Sequence, residues 1–129
     1  MSPTADHPFA ALNTASLRNG AVIEIPAGVE VDHPIQIIFV SGSEGRPTLS
    51  APRTLIVAGA ESRCTIVEHH IGDVGASLTC PVAEFVVGEK ARVHHVVIEQ
   101  EGDATLHLAS GEAVLASGSR YREHSLSVG

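Results

Sequence analysis

The residues best suited to chemistry are two adjacent histidines, His94 and His95, with Glu99 after them. Neighbouring side chains of an extended strand point to opposite faces, so only His95 and Glu99 would share a face. An imidazole and a carboxylate on one face could hold a divalent metal ion. The alternative interpretation, which we favour, is polar side chains on the solvent side of a strand.

A second candidate follows the same logic, since Glu68, His69 and His70 could bind a metal ion loosely if neighbouring strands placed His70 beside His95. We again favour surface side chains over a metal site. The remaining histidines are isolated, and we interpret them as surface or corner residues: His7, His33, His107 and His124. The sequence therefore predicts no catalytic, cofactor-binding or metal-binding residue.

The two cysteines do not form a recognisable site either. Cys64 alternates with Ile66 on an apolar face, so we expect it to pack in the core, where a free cysteine behaves as a small hydrophobe. Cys80 precedes Pro81 near a corner and is expected to be more exposed. Their spacing matches no metal-ligand motif. No nucleophile–base pair and no glycine-rich phosphate loop is recognisable, so catalysis is not supported.

The elements that would position these residues recur along the chain. Residues 54–70 form a short apolar run, a small-residue corner and an alternating strand, and the same order recurs at 85–99 and 113–124. The copies are spaced about 28 residues apart, a period typical of stacked repeats that bury their apolar faces on one another. The alternative is chance similarity among strand–turn–strand units of a sandwich or barrel.

Three arginines, Arg63, Arg92 and Arg120, occupy the same place in these copies. Stacked repeats would align them as a basic ladder on one face of the protein. Because the chain is rich in glutamate, we expect the arginines to form surface ion pairs, which contribute little to stability.

Composition and charge reduce the range of possible partners and cellular locations. The formal net charge is −7 and no basic patch occurs, so nucleic acid is not expected as a partner. No apolar run is long enough to span a membrane, and the N-terminus lacks the features of a secretory signal. With two cysteines, this predicts a cytoplasmic protein with reduced thiols. We expect one domain, with an N-terminal extension at residues 1–20 that could form a short helical turn, and an all-β core at 21–129.

Several segments, in their order and spacing, resemble a known family. The most specific are Phe9-Ala10-Ala11-Leu12-Asn13, Pro34-Ile35 and Pro52-Arg53-Thr54-Leu55-Ile56-Val57. They resemble the SufB/SufD family, and look closer to SufD than to SufB. The resemblance implies a right-handed parallel β-helix, in agreement with the repeats. It also implies a non-catalytic scaffold role in cytoplasmic iron–sulfur cluster assembly.

The partners that the resemblance implies are a SufB-like paralogue and a SufC-like ATPase, with a homodimer as the other possibility. No cofactor would be bound directly, because iron or the cluster would be handled by the full complex. The chain departs from the family pattern by lacking the N-terminal helical region, the second half of the β-helix and the C-terminal helices. In the family, that missing part makes the SufB–SufD contact, carries the cysteine and histidine associated with cluster assembly, and binds the ATPase. No site residue can therefore be carried over.

The alternative function is a small cupin-type metal-binding protein or metalloenzyme that uses His94, His95 and Glu99. Gly88, His94 and Glu99 are spaced loosely as in a first cupin motif. However, the adjacent histidines replace the His-x-His that places two ligands on one face, and no second histidine motif follows. Topology separates the two hypotheses, because a β-helix has parallel coils and a cupin has antiparallel Greek-key strands.

Overall fold

A computed structural model of the chain describes residues 20–41, 48–72, 77–100, 105–107 and 109–127, and this part is all β, without a helix. In chain order the strands are β1 (Gly20–Ile25), β2 (Ile35–Ser41), β3 (Thr48–Ser50), β4 (Arg53–Ala58), β5 (Arg63–Gly72), β6 (Ser77–Thr79), β7 (Val82–Val87), β8 (Arg92–Gln100), β9 (Thr105–His107), β10 (Ser110–Leu115) and β11 (Arg120–Ser127). The helical turn predicted in the N-terminal extension lies outside the described residues. Among those described, no helix is long and apolar enough to cross a membrane.

The strands form three sheets, and each sheet takes every third strand of the chain. The first sheet has the order β1-β4-β7-β10, the second β11-β8-β5-β2 and the third β3-β6-β9. Every pairing is parallel. The chain thus passes through the three sheets in turn and stacks one circuit on the next. This confirms the prediction of stacked β repeats and argues against a cupin, whose strands are antiparallel.

Alternation within the central strands of the first two sheets places one row of side chains inside the stack. Along β4, Thr54, Ile56 and Ala58 are buried while the residues between them are partly exposed. Ile56 aligns with Ile23 and Phe85 in the neighbouring strands, so like positions lie above one another. The resulting core is mainly aliphatic, because the chain offers few aromatic rings. Burial of this apolar row is the main favourable contribution to folding.

The structure confirms the prediction for one cysteine and contradicts it for the other. Cys64 packs in the core, as expected. The expectation that Cys80 is more exposed is wrong, since its side chain is completely buried. The reason is that the corner between the third and first sheets is itself stacked: Val82 N–H donates to Pro52 O and Ser110 N–H donates to Pro81 O. Each such corner is therefore held between its neighbours instead of projecting into solvent.

The corners between the first and second sheets explain the sequence repeat. Equivalent residues in four successive corners adopt the left-handed conformation: Gly28, Glu61, Lys90 and Gly118. Backbone hydrogen bonds join the corners, from Glu61 N–H to Glu89 O and from Lys90 N–H to Ser117 O. In some copies the small residue before the arginine is a serine, whose side chain forms a hydrogen bond across the corner. Ser62 Oγ, for example, donates to Gly59 O at 2.6 Å. The repeated motif is therefore a corner motif.

Close stacking of the corners leads to the first prediction. A Cβ atom on Gly88 would lie 2.7 Å from Ala60 N, which is backbone and cannot move aside. We expect Gly88→Ala to reduce the free energy of unfolding by about 2 kcal/mol, as is typical of overpacking. Urea unfolding followed by circular dichroism measures it.

The matched control for this prediction is Gly28→Asn. Gly28 is left-handed, but a Cβ atom there would meet nothing within 4 Å, and asparagine tolerates that conformation. We expect a smaller loss for the control, about 1 kcal/mol or less, because it carries only the conformational cost of a left-handed residue and no close contact. Equal effects of the two substitutions would contradict the close approach at Gly88.

Candidate functional site

Five polar side chains form a connected chain that runs from the buried interior to the exposed Glu123, where β5, β8 and β11 lie side by side. Glu68 and His70 come from β5, His95 from β8, and Tyr121 and Glu123 from β11. The alternation that buries Cys64 and Ile66 continues along β5 and also turns the side chains of Glu68 and His70 inward. The same alternation turns His95 inward between Val93 and Val97.

Glu68 is the centre of this polar chain, because its carboxylate contacts two imidazoles. Glu68 Oε1 lies 2.8 Å from His95 Nε2, and Glu68 Oε2 lies 3.3 Å from His70 Nε2. His95 Nδ1 lies 2.8 Å from the Tyr121 hydroxyl, which in turn lies 3.3 Å from Glu123 Oε2. Both oxygens of Glu68 and both ring nitrogens of His95 thereby have a partner, as most buried polar groups of folded proteins do.

Aromatic packing holds the imidazole rings in place. The Phe85 ring lies 4.5 Å from the His95 ring and 4.9 Å from the Tyr121 ring, centroid to centroid. Phe39 stacks on His70 with the ring centroids 5.1 Å apart. Ring contacts of this kind restrict the imidazoles to orientations in which their nitrogens meet Glu68 and Tyr121.

The polar chain can hold a proton in more than one place. When His95 is neutral with the proton on Nε2, it donates to Glu68, and Nδ1 accepts from the Tyr121 hydroxyl. When His95 is an imidazolium, both nitrogens donate, and the Tyr121 hydroxyl is released to donate to Glu123. Protonation of one buried imidazole therefore changes the hydrogen bond between Tyr121 and Glu123 in β11.

Electrostatics favour an ionised Glu68 at the centre. Burial would raise the pKa of Glu68, but hydrogen bonds from His70 and His95, together with their charges, outweigh burial and lower that pKa to about 2. Burial, aided by Glu123 and Glu68, raises the pKa of Tyr121 well above its usual value, so this hydroxyl stays protonated. The site therefore pairs a buried carboxylate with neutral or cationic donors.

A pocket of about 240 Å³ adjoins the polar chain. Glu68, His70, His95 and Tyr121 line it on one side, and β10 lines it on the other. The Ser110 hydroxyl on β10 is buried and has no hydrogen-bond partner among the described residues. The arrangement is polar and roomy enough for water or a small polar molecule.

The chemistry open to this site does not include thiol attack or an evident metal centre. Burial raises the pKa of Cys64 and of Cys80, which keeps both thiols protonated and weakly nucleophilic. No group of three His, Cys, Asp or Glu side chains in the described part of the chain is arranged to hold a metal ion. Glu68, His70 and His95 are instead engaged with one another.

The structure places some of the histidines that we predicted at the surface inside the protein. The expectation that His70 and His95 face solvent is wrong, because they are only 1% and 3% exposed. His94 points outward, where its Nε2 lies 2.8 Å from Nδ1 of the exposed His124. Glu99 aligns with His70 across the strand pair, and no metal site joins it to His94 and His95.

The outcome for the isolated histidines is mixed. His33 and His124 are exposed, as expected of surface residues. His7 lies outside the described residues, and the side chain of His107 is also outside them. Tyr121 and Glu123 were missed as site residues. The signal that could have found them is alternation, since both share the inward phase of β11 and occupy the copy that follows His95.

The polar chain predicts how stability depends on pH. The pKa of Glu68 is lower in the folded state than in the unfolded chain, so ionised Glu68 contributes stability above about pH 4.5. That contribution, up to about 3 kcal/mol, is lost as the pH falls towards 2. We expect Glu68→Gln to flatten this part of the pH profile, measured by urea unfolding at successive pH values. Glu24→Gln, an exposed residue of β1, is the control, and an unchanged slope in Glu68→Gln would refute the assignment.

Comparison with known proteins identifies the family of this chain. Residues 39–129 match the SufBD core domain of the SUF system for FeS cluster assembly. An iron–sulfur cluster assembly SufBD family protein of Synechocystis sp. is 30% identical over 124 residues, covering 88% of this chain and 27% of the relative. Another iron–sulfur cluster assembly SufBD family protein, from Mycobacterium tuberculosis, is 34% identical over 111 residues, covering 78% of this chain and 13% of the relative.

A third relative, from Staphylococcus haemolyticus, is 33% identical over 110 residues, covering 84% of this chain and 23% of the relative. The chain thus spans about a quarter or less of the length of these relatives. No solved structure matches it significantly. The matched region contains most of the stacked strands and the whole interior polar chain. The chain therefore belongs to the SufBD family.

Proposed function

We propose that the chain serves as a non-catalytic, SufD-like scaffold in iron–sulfur cluster assembly. The observation that carries this proposal is the match of the SufBD core domain to residues 39–129, which coincides with the parallel coils. The segments around Pro34-Ile35 and Pro52-Val57 resemble the SufB/SufD family, and the chain as a whole looks closer to SufD than to SufB. The iron–sulfur cluster would be cargo of the assembled complex, without a cofactor resident in this chain.

We also propose that the coils wind as a right-handed parallel β-helix. Each strand is linked to its parallel neighbour in the same sheet by a connection that runs through the other two sheets. Crossover connections between parallel strands of one sheet are right-handed in almost all proteins. The handedness follows from the twist of the strands, so it needs no special residue.

The proposed absence of catalysis rests on the chemistry of the interior. Buried, protonated thiols are poor nucleophiles, and burial raises the pKa of both cysteines. The described residues also offer no arrangement for a catalytic metal ion. A scaffold requires neither, because it acts through contacts with other proteins. We place it in the cytoplasm, where reducing conditions suit thiols that are not cross-linked.

The partners we propose are a SufB-like paralogue and a SufC-like ATPase, with self-association into a homodimer as the other arrangement. Among the described strands, β10 and β11 lie at the edges of their sheets, and edge strands readily pair with another chain. Leu115 on β10 is 51% exposed, although its aligned neighbour Val87 is 1% exposed. This coil therefore offers both backbone hydrogen-bonding groups and apolar surface.

Co-purification with SufB-like and SufC-like proteins of the same source tests the proposal, with masses measured by size-exclusion chromatography and light scattering. We expect a defined complex that contains the SufB-like protein, and no ATP hydrolysis by the purified chain alone. Leu115→Arg should weaken the complex at least about tenfold, because it places a charge on the proposed contact.

Val22→Arg, on the outer face of β1, is the matched control and should leave the complex intact. Capture of neither partner by a chain that only aggregates would reject the scaffold proposal. A monodisperse dimer of the chain alone would support the homodimer arrangement in place of the SufB-like partner. Equal loss of binding in the two variants would reject the assignment of the contact to β10.

A further inference from the structure

The outer face of the second sheet has an unusual charge distribution. The outward side chains of β2, β5, β8 and β11 include four arginines and three histidines but no carboxylate within the described residues. The basic members are Arg63, Arg92, Arg120, Arg122, His69, His94 and His124. The chain as a whole carries a net charge of −7. Positive charge is thus concentrated on one face of an acidic protein.

Three of the arginines stand directly beside one another. The register pairs Arg63 with Arg92 and Arg92 with Arg120, which confirms the predicted ladder. Neighbouring strands lie about 4.8 Å apart, so the column is about 10 Å long. Like charges directly opposite one another across strands are destabilising. The column is therefore a local electrostatic cost that an anion would relieve.

The described residues offer these arginines little compensation. The expected surface ion pairs are not found, since none of the three arginines forms one with a described residue. Glu30 aligns with Arg63 at one end of the column, and Glu61 and Glu89 occupy the adjacent corners. Arg92 and Arg120 lie farther from Glu30. The corner before Arg120 has no carboxylate, and none of Arg92, Arg120 and Arg122 forms an ion pair with a described residue.

The rest of the face becomes apolar along the strands. Beyond the arginine column, the outward positions of β5 and β8 are threonine or histidine, and then valine. Ile98 on β8 and the exposed Ile38 and Leu126 lie farther along. Arg92 and Ile98 are about 20 Å apart at the usual rise of a strand. The face is therefore basic near the corners and mainly aliphatic towards the other end, where His69 is the polar member of the row formed with Ile38, Ile98 and Leu126.

We propose that this outer face of the second sheet is a docking surface for an acidic segment of a partner protein. Carboxylates of that segment contact Arg92, Arg120 and Arg122, and its aliphatic side chains cover the apolar end. Charge complementarity carries the choice of occupant, since guanidinium groups bind carboxylates through charge-assisted hydrogen bonds. The argument uses only the charges and register of this chain, so it does not depend on a role in cluster assembly.

Two other anionic occupants fit less well. Nucleic acid would be repelled by the overall negative charge, and the face lacks the Phe, Tyr or Trp side chains on which single-stranded bases stack. A single phosphate group is shorter than the arginine column, and it would leave the aliphatic end of the face uncovered. An acidic protein segment could contact the arginine column with its carboxylates and also cover the aliphatic end of the face.

Fluorescence anisotropy with the full chain and a labelled peptide of alternating Glu and Leu tests the proposal. We expect binding that weakens as salt is added, and that falls about tenfold in the double variant Arg92→Gln/Arg120→Gln, the loss of roughly two charged contacts. Arg92→Lys/Arg120→Lys keeps the charge and should retain most of the affinity. Both arginines are exposed, so the variants should fold, which circular dichroism verifies.

The control matched for net charge is Val22→Glu/Val114→Glu, which adds two negative charges on the outer face of the first sheet. It should leave peptide binding nearly unchanged. The proposal is overturned if the peptide fails to bind, or if the glutamine pair binds as well as the original chain. It is also overturned if pyrophosphate or a single-stranded oligonucleotide displaces the peptide at lower concentration. Cluster assembly is not measured, so failure here leaves the scaffold proposal standing.

Discussion

The structure depends on parallel, in-register stacking of one circuit of the chain on the next. Every pairing among the described strands is parallel, and each joins a strand to its equivalent in the following circuit. The backbone hydrogen bonds of a strand are thereby satisfied by the neighbouring coils, and buried backbone groups cannot be left without partners. Everything else, including the core rows, the corners and the polar chain, follows from that register.

The corners maintain the register, and they account for the residues that repeat. A left-handed residue at the same place in each turn allows the chain to change sheets in few residues, and Glu61 and Lys90 adopt this conformation although neither is glycine. A non-glycine residue pays a conformational cost there. Hydrogen bonds from each corner to the next offset that cost. The turn is therefore stabilised by stacking more than by the preference of its own residues.

Register also assembles the interior polar chain from distant parts of the sequence. Glu68 and His95 are 27 residues apart, and His95 and Tyr121 are 26 apart, close to one circuit of the coil. A carboxylate buried this deeply would be costly alone, and two imidazoles make its burial tolerable. The same register builds the arginine column on the opposite side of the sheet, where solvent in place of partner residues limits the repulsion. The same register thus pairs Glu68 with two imidazoles in the interior and aligns like charges on the surface.

The sequence by itself determined the repeat, the corners and the alternation of side chains. Strand alternation is local, and Ser62-Arg63-Cys64 already showed which residues share a face. For the same reason the alignment of Arg63, Arg92 and Arg120 could be predicted. Membership in the SufBD family was also visible in the order of short segments such as Pro52-Arg53-Thr54-Leu55-Ile56-Val57.

Only the tertiary structure decided which side chains the polar site contains. In the structure Glu68 and His70 continue the inward row of Cys64 and Ile66, although we predicted surface side chains. A polar residue on an inward row is costly unless a partner lies nearby. That partner, His95, comes from the next coil, and its distance depends on register and rotamer, which local sequence does not encode. Burial of Cys80 was decided in the same way, by a corner that stacks on its neighbours.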